Sequence, residues 1–323
     1  MTAYEVSTER TYRFSIQGGP FGDPTALRAH ARRVEDLGYA ELFTSDHMGA
    51  PGSGGRTGGM FVVDPFAPLI VAAEATTHLR FGPLVLNTEL YNPALLDRTA
   101  ATVDRLTSGR LVIGLGTGYS AAEHASIGTT IRAPGPRVSR FEETLTVLRS
   151  LLDTGAADHD GEHESIHVDD LGVTPTQPRV PFLVGGHGRR VVGLAGQHAD
   201  VFQFTGLTHG KDGAPSAGGF ALEDLLERSA WLEEAAGPRN EAIERSALVQ
   251  FASCGADAPL AEELASRFGV DASIIDDTPF VLAGSVEQIV DKIERLRERL
   301  GITHYVVRDH EGFAPVVEAL TAH

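Results

Sequence analysis

Five short segments of the chain carry residue types that can do chemistry. The first is Asp46-His47, which closes Thr44-Ser45-Asp46-His47 directly after an apolar run. A carboxylate beside an imidazole can pass or hold a proton near neutral pH. The competing reading is a helix-capping aspartate next to a surface histidine. Gln17-Gly18-Gly19 and Asn87-Thr88-Glu89 end two other apolar runs, so polar side chains gather at several strand ends. That constellation is more specific than any single member. Gly116-Thr117-Gly118-Tyr119-Ser120-Ala121 follows another apolar run and matches the G-x-G-x-x-G/A dinucleotide pattern. Finally, Pro181 to Val184 leads into Gly185-Gly186-His187-Gly188-Arg189-Arg190, where a helix starts at once. Backbone N–H groups at a helix start, with glycines allowing close approach, suit a phosphate. The alternative there is a plain tight connection with solvated arginines.

The elements that position these residues decide between folds. Apolar runs predict strands at 12–17, 40–44, 79–86, 111–115, 181–184, 201–204, 247–252 and 304–307. Helical spacing follows each, beginning with Pro24 to Leu37, where Leu27, Ala31, Val34 and Leu37 share a face. Asp64-Pro65 starts a helix through Ala75, Asn92-Pro93 one to Leu106, and others cover Val138 to Leu152 and His187 to Gln197. The last helices fall at 221–236, 259–267, 285–300 and 312–322, and Trp231 reads as core. Eight strand–helix units in one chain of 323 residues predict an α/β fold, a (β/α)8 TIM barrel, with insertion segments at its C-terminal face. Residues 11–323 read as a single domain, and polar Met1 to Arg10 as a flexible terminus without a signal-peptide core. Irregular segments at 49–61, 119–136 and 206–219 follow strands, and the glycine-rich first one reads equally as a disordered loop or a mobile lid.

This frame relocates the glycine turn. A Rossmann fingerprint should open a helix and reach a second strand ending in an acid about 20 residues on. Here a loop with Pro134-Gly135-Pro136 follows, then a helix carrying Glu142 and Glu143. The turn therefore reads as the fourth strand mouth of the barrel.

Composition narrows the partners. The net charge of −17 argues against nucleic acid or an anionic membrane as partner. No stretch approaches the roughly 20 apolar residues of a membrane span. Cys254 is the sole cysteine, which precludes an internal disulfide and suits the cytoplasm. His159, His163 and His167 recur at four-residue spacing, but their segment is polar and acidic and reads as a loop or short hairpin, so no metal site is expected.

The chain resembles the bacterial-luciferase-like flavin and deazaflavin oxidoreductases, and more closely their actinobacterial branch using coenzyme F420. The marks are Glu41-Leu42-Phe43-Thr44-Ser45-Asp46-His47, Tyr91-Asn92-Pro93, and Ser108-Gly109-Arg110 leading to Gly114-Leu115-Gly116-Thr117-Gly118. Arg140-Phe141-Glu142-Glu143, Pro181 to Gly186, Gly284-Ser285-Val286-Glu287 and Gly301-Ile302-Thr303-His304 complete them. The resemblance implies a barrel with an insertion near strand seven, assembled as a homodimer, with F420 (alternatively FMN) across the strand C-termini. It places Asp46 and His47 by the ring or substrate, and Asn87 on the ring's polar edge. A non-proline cis peptide at Leu84–Val85 or a neighbour would support the ring face. Gly116, Thr117 and Gly118 would lie along the cofactor, and Gly185, Gly186, His187 and Gly188 would hold its phosphate. The family's sugar-phosphate dehydrogenases carry a glutamate proton donor where Tyr119 stands, and a phosphate-binding lysine near Leu207; neither is present. Tyr119 and His47 are then the candidate acids, and a phenol near pKa 10 needs tuning to act as a base. The implied activity is F420-dependent hydride transfer to or from a small organic substrate, chiefly F420H2-dependent reduction of an activated double bond or carbonyl. The alternatives are an FMNH2-dependent two-component monooxygenase and a catalytically silent flavin-binding protein.

Overall fold

Asn92-Pro93 shows how local sequence sets the elements of this fold. The Asn92 side chain accepts from the Ala94 and Leu95 N–H groups, and proline occupies the first helical position. The computed structural model describes residues 11–48, 63–209 and 215–321. The expected flexible terminus at 1–10, the whole glycine-rich loop at 49–61, and residues 210–214 of the loop at 206–219 lie outside the described residues.

In chain order the elements are β1 (Arg13–Gln17), α1 (Pro24–Asp36), β2 (Glu41–Thr44), α2 (Ala67–Ala73), β3 (Arg80–Pro83), β4 (Leu86–Asn87), α3 (Pro93–Leu106), β5 (Ile113–Gly116), α4 (Ala121–Ser126) and α5 (Pro134–Thr154). Then come β6 (Ala157–Asp160), β7 (Ser165–Val168), β8 (Phe182–Gly185), α6 (Arg189–His198), β9 (Val201–Phe204), β10 (Thr208–His209), β11 (Pro215–Ser216) and α7 (Leu222–Ala236). The chain finishes with β12 (Glu244–Leu248), β13 (Phe251–Cys254), α8 (Ala261–Phe268), α9 (Ala272–Asp277), β14 (Val281–Gly284), α10 (Val286–Leu300), β15 (Ile302–Val307) and α11 (His310–Thr321). Parallel strands alternating with helices make this an α/β fold of the (β/α)8 barrel class. Two compact units share the chain. One holds Gly18–Arg32 and Phe43–Val184; the other holds β1, Arg33–Leu42 and Gly185 onward.

In the first unit β4 pairs with β5 and β5 with β8, both in parallel (Leu86 opposite Leu115, Ile113 opposite Phe182). The strand expected at 79–86 is split into β3 and β4, and the Leu84–Val85 peptide bond between them is cis, at the position expected. Gly82 lets β3 close on the neighbouring chain, since a Cβ there would overlap the Val112 carbonyl oxygen. The helix expected from Asp64 begins at Ala67 instead. Asp64 Oδ1 accepts from the Phe66 and Ala67 N–H groups and so caps a preceding turn. Conversely α5 starts at Pro134, before the expected Val138, because prolines fit a first turn whose N–H groups need no helical partner. The three spaced histidines do fall on a hairpin, β6 against β7.

In the second unit β9, β12, β15 and β1 pair in parallel (Val201 opposite Glu244, Ala247 and Phe14 both opposite Tyr305). Phe14 stacks on Tyr305 at 6.1 Å and tilts against Phe313 at 5.8 Å, all three fully buried. The strand expected at 247–252 is two strands. Val249 still bonds to Val306, but the Gln250 and Phe251 N–H groups both turn to the Phe280 carbonyl, and β13 goes on to pair with β14. That pair, with α8 and α9, is the insertion expected near strand seven. Trp231, expected in the core, is only half-buried.

Candidate functional site

The polar constellation of the first unit lies at the C-terminal ends of β2, β4 and β5. Asp46 is buried just past β2. Its Oδ2 accepts the Asn87 N–H at 2.9 Å, and its carboxylate also accepts the Tyr91 hydroxyl. Burial raises its pKa, an effect that the two donors and His47 only partly offset. His47 Nδ1 stands 3.0 Å from Glu123 Oε1, and Glu123 Oε2 accepts the Met48 N–H at 3.2 Å. The hydrogen bond to Glu123 raises the His47 pKa above its ordinary value; burial opposes this, and the charges of Glu123 and Asp46 add to it. Burial alone would raise Glu123, but the hydrogen bond and charge of His47 and the Met48 N–H outweigh it and hold the carboxylate below its usual value. The pair therefore favours imidazolium with carboxylate, with the Nδ1 proton fixed toward Glu123 and Nε2–H as the second donor of the ring.

Asn87 is gripped from both sides. Its Oδ1 accepts the Glu89 N–H (3.2 Å), and its Nδ2 lies 2.9 Å from His124 Nε2. Burial lowers the His124 pKa, so the ring is neutral; Nε2 then accepts from Asn87 and Nδ1–H donates to Thr129 Oγ1 at 3.1 Å. One Nδ2 proton and one Oδ1 lone pair of Asn87 remain for other partners. Arg140 on α5 holds the turn after Asn87, donating to the Thr88 and Tyr91 carbonyls at 2.7 Å each. Arg140 is in turn paired with Glu164 at 2.6 Å, while Glu143 accepts three N–H groups of the hairpin turn, from Glu162, His163 and Glu164.

The glycines of β5 have a structural reason. A Cβ at Gly114 or Gly116 would press on Val85 at 3.0 and 2.7 Å, and one at Gly118 would overlap the Asn87 amide. The bare backbone thus lets the β3–β4 segment lie against β5. Thr88 Oγ1 adds a 2.9 Å bond to the Gly116 carbonyl. Tyr119, 44% exposed, sits edge-on to His47 with ring centroids 6.0 Å apart. Partial burial and the Glu123 carboxylate push its phenol further up, away from service as a base near neutral pH. The first unit thus brings together Asp46, His47, Tyr119, Leu84, Val85, Asn87 and Gly116 to Gly118. Sequence reading missed Glu123, His124 and the role of Tyr91. A signal existed: Ser120-x-x-Glu123 is a helix-start pattern, and Ser120 does accept the Glu123 N–H at the start of α4.

The second unit carries the other expected group at the β8–α6 turn. His187 Nε2 lies 2.9 Å from both Thr205 Oγ1 and the Leu207 carbonyl. A Cβ on Gly186 would press on Val191 at 2.6 Å, so packing requires that glycine, whereas one on Gly188 would meet open space. Gly188 begins the ten-residue α6 without a side-chain cap. Arg189, expected to add charge there, instead pairs with Glu234 at 2.8 Å. No cluster suited to a metal ion occurs among the described residues, and no helix among them is long and apolar enough to cross a membrane.

Known proteins give this geometry a context. Residues 6–217 match the family described as luciferase-like monooxygenase. An F420-dependent glucose-6-phosphate dehydrogenase from Intrasporangium calvum is 31% identical over 186 residues, which are 55% of this chain and 53% of that protein. The chain thus spans about half the length of the curated relatives it matches. Among solved structures, an F420-dependent secondary alcohol dehydrogenase bound to an F420–acetone adduct superposes with a TM-score of 0.75 at 19% identity, over 96% of this chain and 99% of that one. The long-chain alkane monooxygenase LadA superposes at 0.77 with 16% identity, over 97% and 92%. Both establish the barrel fold.

Proposed function

The chain belongs to the luciferase-like monooxygenase family, and we propose that within it the protein is an F420-dependent oxidoreductase moving a hydride between the deazaflavin and a small organic substrate. The favoured direction is F420H2-dependent reduction of an activated double bond or carbonyl. The observation that carries this reading is the His47–Glu123 pair. It is a proton donor held in one orientation, with its pKa raised by Glu123, at a strand end where barrel enzymes do their chemistry. The 31% identity to an F420-dependent relative supports the choice of cofactor.

The residues present suit such a cofactor. Gly188 leaves room that any side chain would fill, at the start of an uncapped helix suited to a phosphate. Gly185, Gly186 and His187 complete that cradle, and Leu84, Val85, Asn87, Gly116, Thr117 and Gly118 would border the ring. Bound F420 would supply a two-electron hydride carrier that, having carbon where a flavin has its reactive ring nitrogen, reacts poorly with oxygen. The protein's own part is proton and position. His47 Nε2–H delivers the proton that accompanies the hydride, Glu123 stabilises the imidazolium beforehand, and Asp46 orients Asn87 through its N–H. Tyr119 is a second proton source beside His47, too high in pKa to act as a base.

Likeness to LadA keeps a second reading in view, a monooxygenase using reduced FMN and oxygen. Anaerobic assays with F420H2 and a panel of enones, imines and ketones separate the two. Turnover without oxygen is expected; strict dependence on oxygen and a flavin reductase would sink the F420 reading. A protein that bound F420 but turned over nothing on the panel would be a silent binder. Gel filtration tests the homodimer proposed with it.

A further inference from the structure

Arg308 stands apart from the other tethered arginines of the chain. It follows β15 directly, at the same edge of the second unit where Gln17 ends β1 and Val249 follows β12. Its guanidinium donates to Gln17 Oε1 and to the Val249 carbonyl, each at 3.0 Å. Both acceptors are buried and neutral, while Arg308 itself is exposed. A guanidinium has five N–H donors, so three remain. No carboxylate pairs with Arg308 among the described residues, and no acid is among the groups that act on its guanidinium.

Several other arginines in this acidic chain are compensated, and Arg80, which also donates to a glutamine and a carbonyl (Gln177 and Leu111), lies at the start of β3, the opposite end of a strand. Arg13, Arg33 and Arg140 pair with glutamates. Arg239 sits on the Gly196, Gln197 and Ala199 carbonyls at the C-terminal end of α6, where the helix dipole is negative. Arg228 has Asp224 and Glu227 nearby. Arg308 has neither acid nor helix end.

We propose that Arg308 is the anchor for an oxyanion, carboxylate or phosphate, carried by the organic substrate. This rests on the function proposed above, in that barrel enzymes bind substrate at the C-terminal edge where Arg308 lies. Gln17 and Val249 fix two arms of the guanidinium fork, so little side-chain entropy is lost when the remaining donors close on two oxygens. In a chain of net charge −17, such a local cation is what lets an anionic substrate approach.

The test is calorimetric titration of the full chain, without cofactor, with benzoate, benzamide and inorganic phosphate. Benzoate or phosphate should bind and neutral benzamide should not; which anion binds identifies the group recognised. Arg308→Gln should weaken that anion by about 10-fold or more, and Arg308→Lys by less, because charge is kept and the fork lost. Melting curves of both variants establish that they fold; should Arg308→Gln not, Arg308→Lys carries the comparison against benzoate and phosphate. The proposal is overturned if neither anion binds, if benzamide binds equally, or if the folded variants bind as the wild type does. Anion binding is read without F420, so failure of the F420H2 assays would leave it standing and would indict only the cofactor reading.

Discussion

His47 Nδ1 and Glu123 Oε1 are 3.0 Å apart, though 76 residues separate them in the chain. One comes from the end of β2 and the other from α4, a helix of six residues. Glu123 is the first cause of the raised His47 pKa. A proton donor works only below its own pKa, so the reductive rate should fall as pH rises through that raised value. Glu123→Gln keeps the shape and removes the charge. The alkaline fall should then move to lower pH, and kcat at neutral pH should drop roughly 10–100-fold. A pH profile of kcat for both forms checks this; an unmoved limb would mean that another group, Tyr119 foremost, gives the proton.

Gly118 is held at φ +70°, and a Cβ there would overlap the Asn87 amide. Gly118→Ala therefore carries two penalties, a left-handed backbone and a displaced Asn87. A loss of about 1–3 kcal/mol in urea unfolding is expected. Because Asn87 also presents its N–H to Asp46, F420 affinity should fall as well, measured by fluorescence titration. Gly188→Ala meets open space at a permissive φ and should cost little stability while still lowering F420 affinity. Unchanged affinity in Gly188→Ala would remove that glycine from the phosphate cradle.

Asp97 on α3 is fully buried, and neither of its carboxylate oxygens has a hydrogen-bond partner. Burial alone pushes its pKa up to about 7. A raised folded-state value means the native protein binds the proton more tightly than the unfolded chain. The benefit is complete below the ordinary aspartate range and is lost as pH rises toward 7. Above that, the protein carries a buried, unpaired charge. Asp97→Asn should therefore raise Tm by roughly 2–5 °C at pH 8 and by less at pH 5. Equal shifts at both pH values would show that the carboxylate is not the cause.

The elements were legible where local signals and burial agree. Asn92-Pro93 gave its helix because cap and proline act within one turn. The Leu27, Ala31, Val34 face of α1 is buried as its spacing demanded, whereas Leu37 falls past the end of the helix and is half-buried. Misreadings came where tertiary pairing overrode local pattern. The apolar run at 247–252 looks continuous, yet the chain changes partner at Gln250, and nothing local encodes the Phe280 carbonyl that receives it. Asp64 looked like a helix cap and instead caps a turn before the helix. At the site, Asp46, His47 and Asn87 were legible as polar ends of apolar runs. Glu123 and His124 were not, because their partners lie 76 and 37 residues away and a six-residue helix in a polar stretch gives almost no periodicity. The glycines of β5 were legible as a motif, but what lies against them, Val85 and Asn87, is a property of the fold.

Glu41 supplies a prediction about stability that the chemistry should not share. It opens β2 fully buried, paired with Arg13 at 2.8 Å and near His304 at 3.3 Å, with Ser15 also bonding to it. Arg13 reaches on to Glu244 at 3.0 Å. These groups sit toward the strand starts of the second unit, the edge opposite Arg308. Burial alone would raise the Glu41 pKa; Arg13, His304 and Ser15 outweigh it and hold the carboxyl well below the usual carboxylate range. The unfolded chain then binds the proton more tightly, so the stabilisation is full above the ordinary glutamate value and is lost as pH falls. Removing the charge takes away one of the acids that Arg13 pairs with, leaving its bridge to Glu244. Glu41→Gln should thus cost about 3–5 kcal/mol in urea unfolding at neutral pH and flatten the loss of stability between roughly pH 5 and pH 3. F420 affinity and the kcat pH profile of the folded variant should match the wild type, since barrel chemistry belongs to the opposite edge. A variant equally stable at neutral pH would show that the network does not hold β1, β2 and β15 in place, and a shifted kcat profile would show that it reaches the site.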